Sequence, residues 1–242
     1  MNDKKIPNSV LLFKFGEKEH VENFYKKGEL YFNTFKYFKE LETNDDGRAD
    51  KREYLGEYYS GTGLDSIKIS FDGYILSKAQ GLCSFEIDYS SIKQFTHLYC
   101  MSCVNVCKAI ENDLIIDERN FANRKDYVVT IHNTAEFKRR LLNKVQEMQL
   151  RCQEGYIEYF NQSNYGGKVG CFRKTNDYEY QNEWRIVANF GTDKENIPQI
   201  ISIGSLEDIA IPPVNKMEFY QQKLQIGDRI ITNNKVLEQL KL

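Results

Sequence analysis

Hydrophobic and polar positions along the chain switch repeatedly between a period of two and a period near 3.6, and the switches mark the predicted elements. VLLFKF (10–15) is a largely apolar run of strand length. EKEHVENFYKKG then places Val21, Phe24 and Tyr25 on one side of a short helix, with Gly28 positioned to end it. In ELYFN, Leu30 and Phe32 alternate with polar neighbours, as in a half-buried strand, and NTFKYFKELE carries one or two helical turns. SIKISF and YILSKA flank Asp72-Gly73, a pair suited to a type I′ hairpin because both turn residues take positive φ. LCSFEID, HLYCMSCV and YVVTI (127–131) read as further strands.

The strongest helical signal follows. Asn133 and Glu136 have the spacing of a capping box, and Phe137, Leu141, Val145, Met148 and Cys152 continue as one apolar stripe. That spacing predicts a helix running to about Cys152 or beyond. KVGCFRK, EWRIVAN, QIISIG and EDIAIPP supply late strands. Asn215 and Glu218 repeat the capping spacing for a helix ending near Gly227, and DRIIT and a short helix close the chain. Strands outnumber helices and do not alternate with them, so the pattern predicts one α+β domain over residues 1–242, with a long central helix and smaller peripheral ones. No internal repeat or low-complexity tract interrupts it.

Composition adds bounds. Of 242 residues, 41% are hydrophobic and 13% aromatic, which is too apolar for a disordered chain. Lys+Arg is 33 against Asp+Glu 35, a net charge of −2, so no global positive field draws in nucleic acid, although a local basic groove stays open. No run approaches the ~20 apolar residues of a membrane-spanning helix, and a cytoplasmic protein without membrane partners is expected. The six cysteines are then expected as thiols.

Five constellations could carry chemistry or cover it. YQNEWRI (180–186) puts Glu183 and Arg185 on one side of a strand and Trp184 and Ile186 on the other. The two charges form either a solvated, salt-bridged outer face or a cleft wall, where the carboxylate acts as base or cation stabiliser and the guanidinium grips a phosphate. In GRADKRE, Arg48 either pairs with Asp50 and Glu53 or clamps a pyrophosphate; Asp46 just before it, Asp50 and Glu53, with distant Glu183, are also hard ligands for Mg²⁺ in a nuclease. His97, Cys100, Cys103 and Cys107 lie within eleven residues, but structural zinc takes its ligands as separated pairs, so buried thiols are favoured over a metal site. Arg139, Arg140, Lys144 and Arg151 form a charged helix face that is either solvated or turned to nucleic acid. Asn164-Tyr165-Gly166-Gly167 is a turn into the next strand or a lid over a cleft, with the turn favoured.

LLFKF, GELYFNTFKYF, GRADKRE, YCMSC and QNEWRI, in that order, resemble the parts of a widespread bacterial family of unknown function: an opening strand and helix, a G-x-L-x-F strand, an acidic-and-arginine loop, a cysteine- or serine-bearing strand and a late E-W-R strand. The match spans residues 11 to 186 and leaves out the C-terminal quarter. The order of parts also resembles, more distantly, the ADP-ribosyltransferase fold, a split-sheet core that binds NAD between two small sheets. The resemblance implies a catalytic Glu183 at the start of a late strand, with Gln181 in the Q/E-x-E pattern. It implies NAD contacts from Lys14, Arg48 and Arg185 to phosphates, from Tyr31 or Phe35 to nicotinamide, and from Ser102 to the ribose. A nucleic-acid or protein acceptor, and a toxin or antiviral-defence setting in bacteria or phage, follow from the same resemblance. A non-catalytic module sensing a nucleotide or phage component is the alternative.

Overall fold

The computed structural model describes residues 10–41, 55–71, 74–90, 95–106, 116–122, 125–191, 194, 196–226 and 229–232. The chain opens with β1 (Val10–Gly16), α1 (Lys18–Lys27), β2 (Glu29–Thr34) and α2 (Phe35–Leu41). Two long strands, β3 (Leu55–Phe71) and β4 (Tyr74–Ser90), precede β5 (His97–Asn105), β6 (Tyr127–Ile131), α3 (Thr134–Glu147) and β7 (Arg151–Tyr156). Short β8 (Glu158–Phe160), β9 (Gly166–Lys168) and β10 (Arg173–Thr175) lead to β11 (Glu183–Asn189). β12 (Gln199–Ser202), β13 (Ala210–Asn215), α4 (Lys216–Gln221), β14 (Lys223–Ile226) and β15 (Arg229–Thr232) complete it. The architecture is α+β, strand-rich and antiparallel in its main sheet, with few helices.

The chain falls into two compact units, one of residues 1–34, 95–156 and 180–242, the other of 35–94 and 157–179. The first holds an eight-stranded sheet in the order β12-β2-β5-β1-β6-β13, with β11 on β5 and β7 beyond it. Strand β5 organises this sheet. Ser102 pairs with Phe13 of β1 and with Glu183 of β11, while Leu98 pairs with Asn33 of β2 and with Val187 of β11. One edge of β5 therefore belongs to β11, and the other is shared end to end by β1 and β2. Between those two partners the edge forks.

The face carrying Leu12, Tyr99, Met101, Trp184 and Ile186 packs under Val21 and Phe24 of α1 and Phe137, Leu141 and Val145 of α3. Burying side chains of this size contributes about 1.5–3 kcal/mol each. The opposite face carries Leu11, Phe13 and Val128 against Phe121, Phe219 and Tyr220. Helix α1 ends as its sequence implies: Gly28 is left-handed (φ 60°), and a Cβ there would lie 2.1 Å from the Gly204 carbonyl oxygen.

In the second unit β3 pairs with β4 along its length and with β9. Tyr58 packs with Val169, Phe160 and Tyr165. β8 and β10 pair in parallel.

Several expectations are corrected. LCSFEID is not a separate strand but the second half of β4. The central helix stops at Glu147 rather than Cys152, because Gln149 turns left-handed (φ 56°) and Leu150 N–H closes on the Val145 carbonyl. Cys152 sits instead on β7. KVGCFRK breaks into the end of β9, a 3₁₀ turn and β10. The helix capped by Asn215 and Glu218 has both halves of its capping box but ends at Gln221, where β14 follows. The Asp72-Gly73 turn, the GRADKRE loop, Gly227 and the final helix lie outside the described residues.

Candidate functional site

Glu183 is presented by β11 and β5 of the first unit. A 3₁₀ helix, Asn176–Gln181, runs into Asn182, which is left-handed (φ 40°). Asparagine tolerates this conformation better than other side-chain-bearing residues. The Asn182 carbonyl accepts the Cys103 N–H at 2.6 Å, locking the start of β11 onto β5. Glu183 is then the first residue of the strand, directly across from Ser102, and Arg185 lies across from Cys100.

Strand alternation separates Glu183 and Arg185 from Trp184, as the pattern predicts, but the solvated outer face does not exist. Glu183 is 5% exposed and Arg185 1%. Arg185 Nε donates to Glu183 Oε1 at 2.9 Å, and Nη2 of the same guanidinium lies 2.9 Å from that oxygen as an ion pair. Removing two such ions from water costs several kcal/mol apiece, offset only by their mutual attraction and further hydrogen bonds. A core strand with this pair on its second face thus holds a fixed carboxylate where most proteins place aliphatic residues.

Ser102, across from Glu183, donates its hydroxyl to Asn120 Oδ1 at 3.2 Å. Asn120 lies on a 3₁₀ turn (Glu118–Phe121), and its Nδ2 donates to the carbonyls of Asp117 and Tyr180, each at 3.1 Å. Nearby, Arg119 forms a two-pronged pair with Asp117 and lies 3.9 Å above the Tyr180 ring. Sequence reasoning assigned nothing to residues 116–122. ERNF has no periodicity or motif, and Asn120 gains its role only through register with residues 18 and 60 positions away.

The remaining candidates are dispersed. Gln181 is half-buried, beside the Tyr180 hydroxyl at 3.3 Å, two residues before Glu183. Lys14 follows Phe13 and so belongs to the face opposite Glu183 and Ser102. Its ammonium lies 4.1 Å from the centre of the Tyr99 ring and donates to the Cys100 carbonyl at 3.1 Å, within the fork between β1 and β2. Burial pushes this amine down to about 8; the sulfur of Cys100 opposes the shift, Lys125 adds to it, and Glu183 opposes it. Tyr31 is exposed on β2, paired with Ile200 of β12. Phe35 is buried at the start of α2 in the second unit. Arg48, Asp46, Asp50, Glu53 and Cys107 lie outside the described residues.

The other constellations resolve individually. His97 is buried, with Nε2 2.8 Å from the Ile197 carbonyl and Nδ1 2.7 Å from the Thr96 hydroxyl. Cys100 and Cys103, three apart on a strand, project to opposite faces, and burial pushes the Cys103 thiol up to about 12, away from the thiolate a metal requires. Among the described residues, no group of three His, Cys, Asp or Glu is placed to hold a metal ion. On α3, Arg139 and Arg140 pair with Glu136, Arg140 reaches Asp208, and Lys144 pairs with Glu147. Asn164-Tyr165-Gly166-Gly167 is the favoured turn, running into β9 against β3. No helix among the described residues is long and apolar enough to cross a membrane. Comparisons with protein-family models, curated proteins and solved structures found no match to this chain.

Proposed function

We propose that the chain is an ADP-ribosyltransferase-like enzyme that binds NAD and transfers ADP-ribose to a macromolecular acceptor, acting as a bacterial or phage defence or toxin effector. One observation carries the reading: a buried carboxylate, Glu183, is held rigidly at the first position of a late strand on the hub of a forked sheet. In the reaction, the bond between nicotinamide and ribose C1′ breaks and nicotinamide leaves with the electron pair. The acceptor nucleophile then bonds to C1′ and loses its proton. Positive charge develops on the ribose between these events, and a fixed carboxylate hydrogen-bonded to ribose hydroxyls stabilises it. Arg185 orients Glu183, Ser102 borders the ribose from β5, and Gln181 orients the acceptor.

Removing one such electrostatic stabiliser costs about 10²–10³ in rate. Wild-type protein incubated with labelled NAD and bacterial lysate is expected to release nicotinamide, and Glu183→Gln, assayed below its own lowered melting transition because Arg185 loses its buried partner, to lose that much activity. No release by the wild type, or undiminished release by the variant, overturns the reading.

One observation favours the sensing alternative. Glu183 Oε1 is already engaged by the Arg185 guanidinium, through the Nε hydrogen bond and the Nη2 ion pair, and the Ser102 hydroxyl is directed to Asn120. Nucleotide binding that Glu183→Gln leaves intact, without nicotinamide release, supports a non-catalytic module.

A further inference from the structure

Glu183 is presented by a lead-in, Tyr180–Asn182, that contains a left-handed residue and is followed by a buried charge. Neither feature is self-sustaining: positive φ is strained for a side-chain-bearing residue, less so for asparagine than for most, and persists where its surroundings impose it. Two hydrogen bonds from outside the lead-in do so. The Cys103 N–H donates to the Asn182 carbonyl, and Asn120 Nδ2 donates to the Tyr180 carbonyl.

The second bond stands out because of what else the same amide does. Asn120 is 7% exposed, and each hydrogen-bonding group of its amide is engaged: two N–H donors on two carbonyls, one oxygen on the Ser102 hydroxyl. Its own backbone N–H also donates to the Asp117 carbonyl, so the 3₁₀ turn survives without the side chain. The amide thus joins the residue opposite Glu183 to the residue three positions before it. Aspartate has the same shape but presents oxygen where the two carbonyls need a donor, and alanine or leucine presents none.

We infer that Asn120 is a positioning residue that fixes where Glu183 stands, by clamping Tyr180 and Ser102 to one amide. Its effect on catalysis rests on the transfer reaction proposed above; its effect on the lead-in does not. A carboxylate misplaced by about 1 Å loses on the order of 10²-fold in rate without any change in substrate contacts.

The test uses the full chain and Asn120→Asp. The Cys103 amide, whose acceptor is the Asn182 carbonyl, reports the lead-in by hydrogen exchange, and Trp184, the only tryptophan, reports it by fluorescence. At neutral pH the Cys103 amide of the variant is expected to exchange at least about tenfold faster than in wild type, while the Val128–Ile131 amides of β6 are unchanged. The acid form regains one donor, so the ratio to wild type at the same pH returns towards one on acidification. Burial raises the pKa of the introduced carboxyl, which brings this recovery above the usual carboxylate range. Nicotinamide release is expected to fall about 10²-fold in kcat with KM for NAD within twofold. Should Asn120→Asp fail to fold, Asn120→Ser, smaller and uncharged, is measured for Cys103 exchange and for kcat and KM, without the acid arm.

Unchanged Cys103 exchange overturns the inference. So does faster exchange spread evenly across the sheet, or an activity loss that tracks melting temperature without acid recovery. A wild type that releases no nicotinamide defeats the transfer reaction alone, because the exchange arm still decides the clamp.

Discussion

At the scale of the residue, Lys14 tests how the fork in the sheet is closed. Its ammonium reaches the Cys100 carbonyl where β1 has left β5 and β2 has not yet joined. Burial lowers its pKa from 10.5 to about 8, so the folded protein binds fewer protons than the unfolded chain between those values. Stability from this group therefore rises with pH across that window, and the penalty of a buried cation is fully present below about 8. Compared with Lys14→Met, the wild type is expected to gain on the order of 2 kcal/mol between pH 7.5 and pH 10, read from urea midpoints of both proteins. A constant difference across that range contradicts a buried, shifted amine. The same residue shows what alternation cannot supply. A period of two separates Glu183 from Trp184, correctly. Whether a face is wet or dry depends on what register brings across it, and Ser102, Asn120 and Phe13 are far away in sequence. The charged pair therefore reads as a surface until its neighbours are known.

At the scale of the element, strands and helix starts were legible because their signals are local. YVVTI and EWRIVAN match β6 and β11 residue for residue, and the spacing of Asn215 and Glu218 forms a complete capping box. Ends were less legible. Helix α3 closes in a Schellman motif: Leu150 N–H meets the Val145 carbonyl and Gln149 N–H the Gln146 carbonyl, with glutamine in the left-handed position that glycine usually takes. Its apolar stripe seemed to continue because Cys152, from β7, packs against the same core as Val145. Gln149→Gly removes the strain of positive φ but loosens the unfolded chain, two effects of opposite sign and similar kind. Relief of the strain, about 1–2 kcal/mol, exceeds the added chain entropy of somewhat under 1 kcal/mol. The variant is expected to be more stable by about 0.5–1 kcal/mol, measured by urea denaturation, and Gln149→Val less stable than wild type. The reverse order contradicts the left-handed cap.

At the scale of the whole molecule, the C-terminal quarter, which carries none of the family resemblance, supplies both ends of the main path of the sheet. β12 pairs with β2 at one end and β13 with β6 at the other. The first unit is consequently assembled from three separated stretches of chain, the last beginning at Tyr180. A chain ending at residue 179 lacks Trp184, Ile186, Phe190, Ile201, Leu206 and Ile209, all buried in the core under α1 and α3. At about 1.5–3 kcal/mol for each large apolar side chain, the loss is on the order of 10 kcal/mol, comparable to the entire net stability of a typical domain. It also strips β11 from β5, leaving the Leu98–Ser102 edge of the hub strand without its partner, a template for pairing between molecules. Residues 1–179 are therefore expected to show no cooperative thermal transition from the first unit by circular dichroism, and to associate at micromolar concentration. A sharp transition within about 5 °C of that of the full chain would mean that β11 and the strands after it are appended to a core complete without them, and Glu183 would then sit on an accessory strand rather than at the centre of the fold.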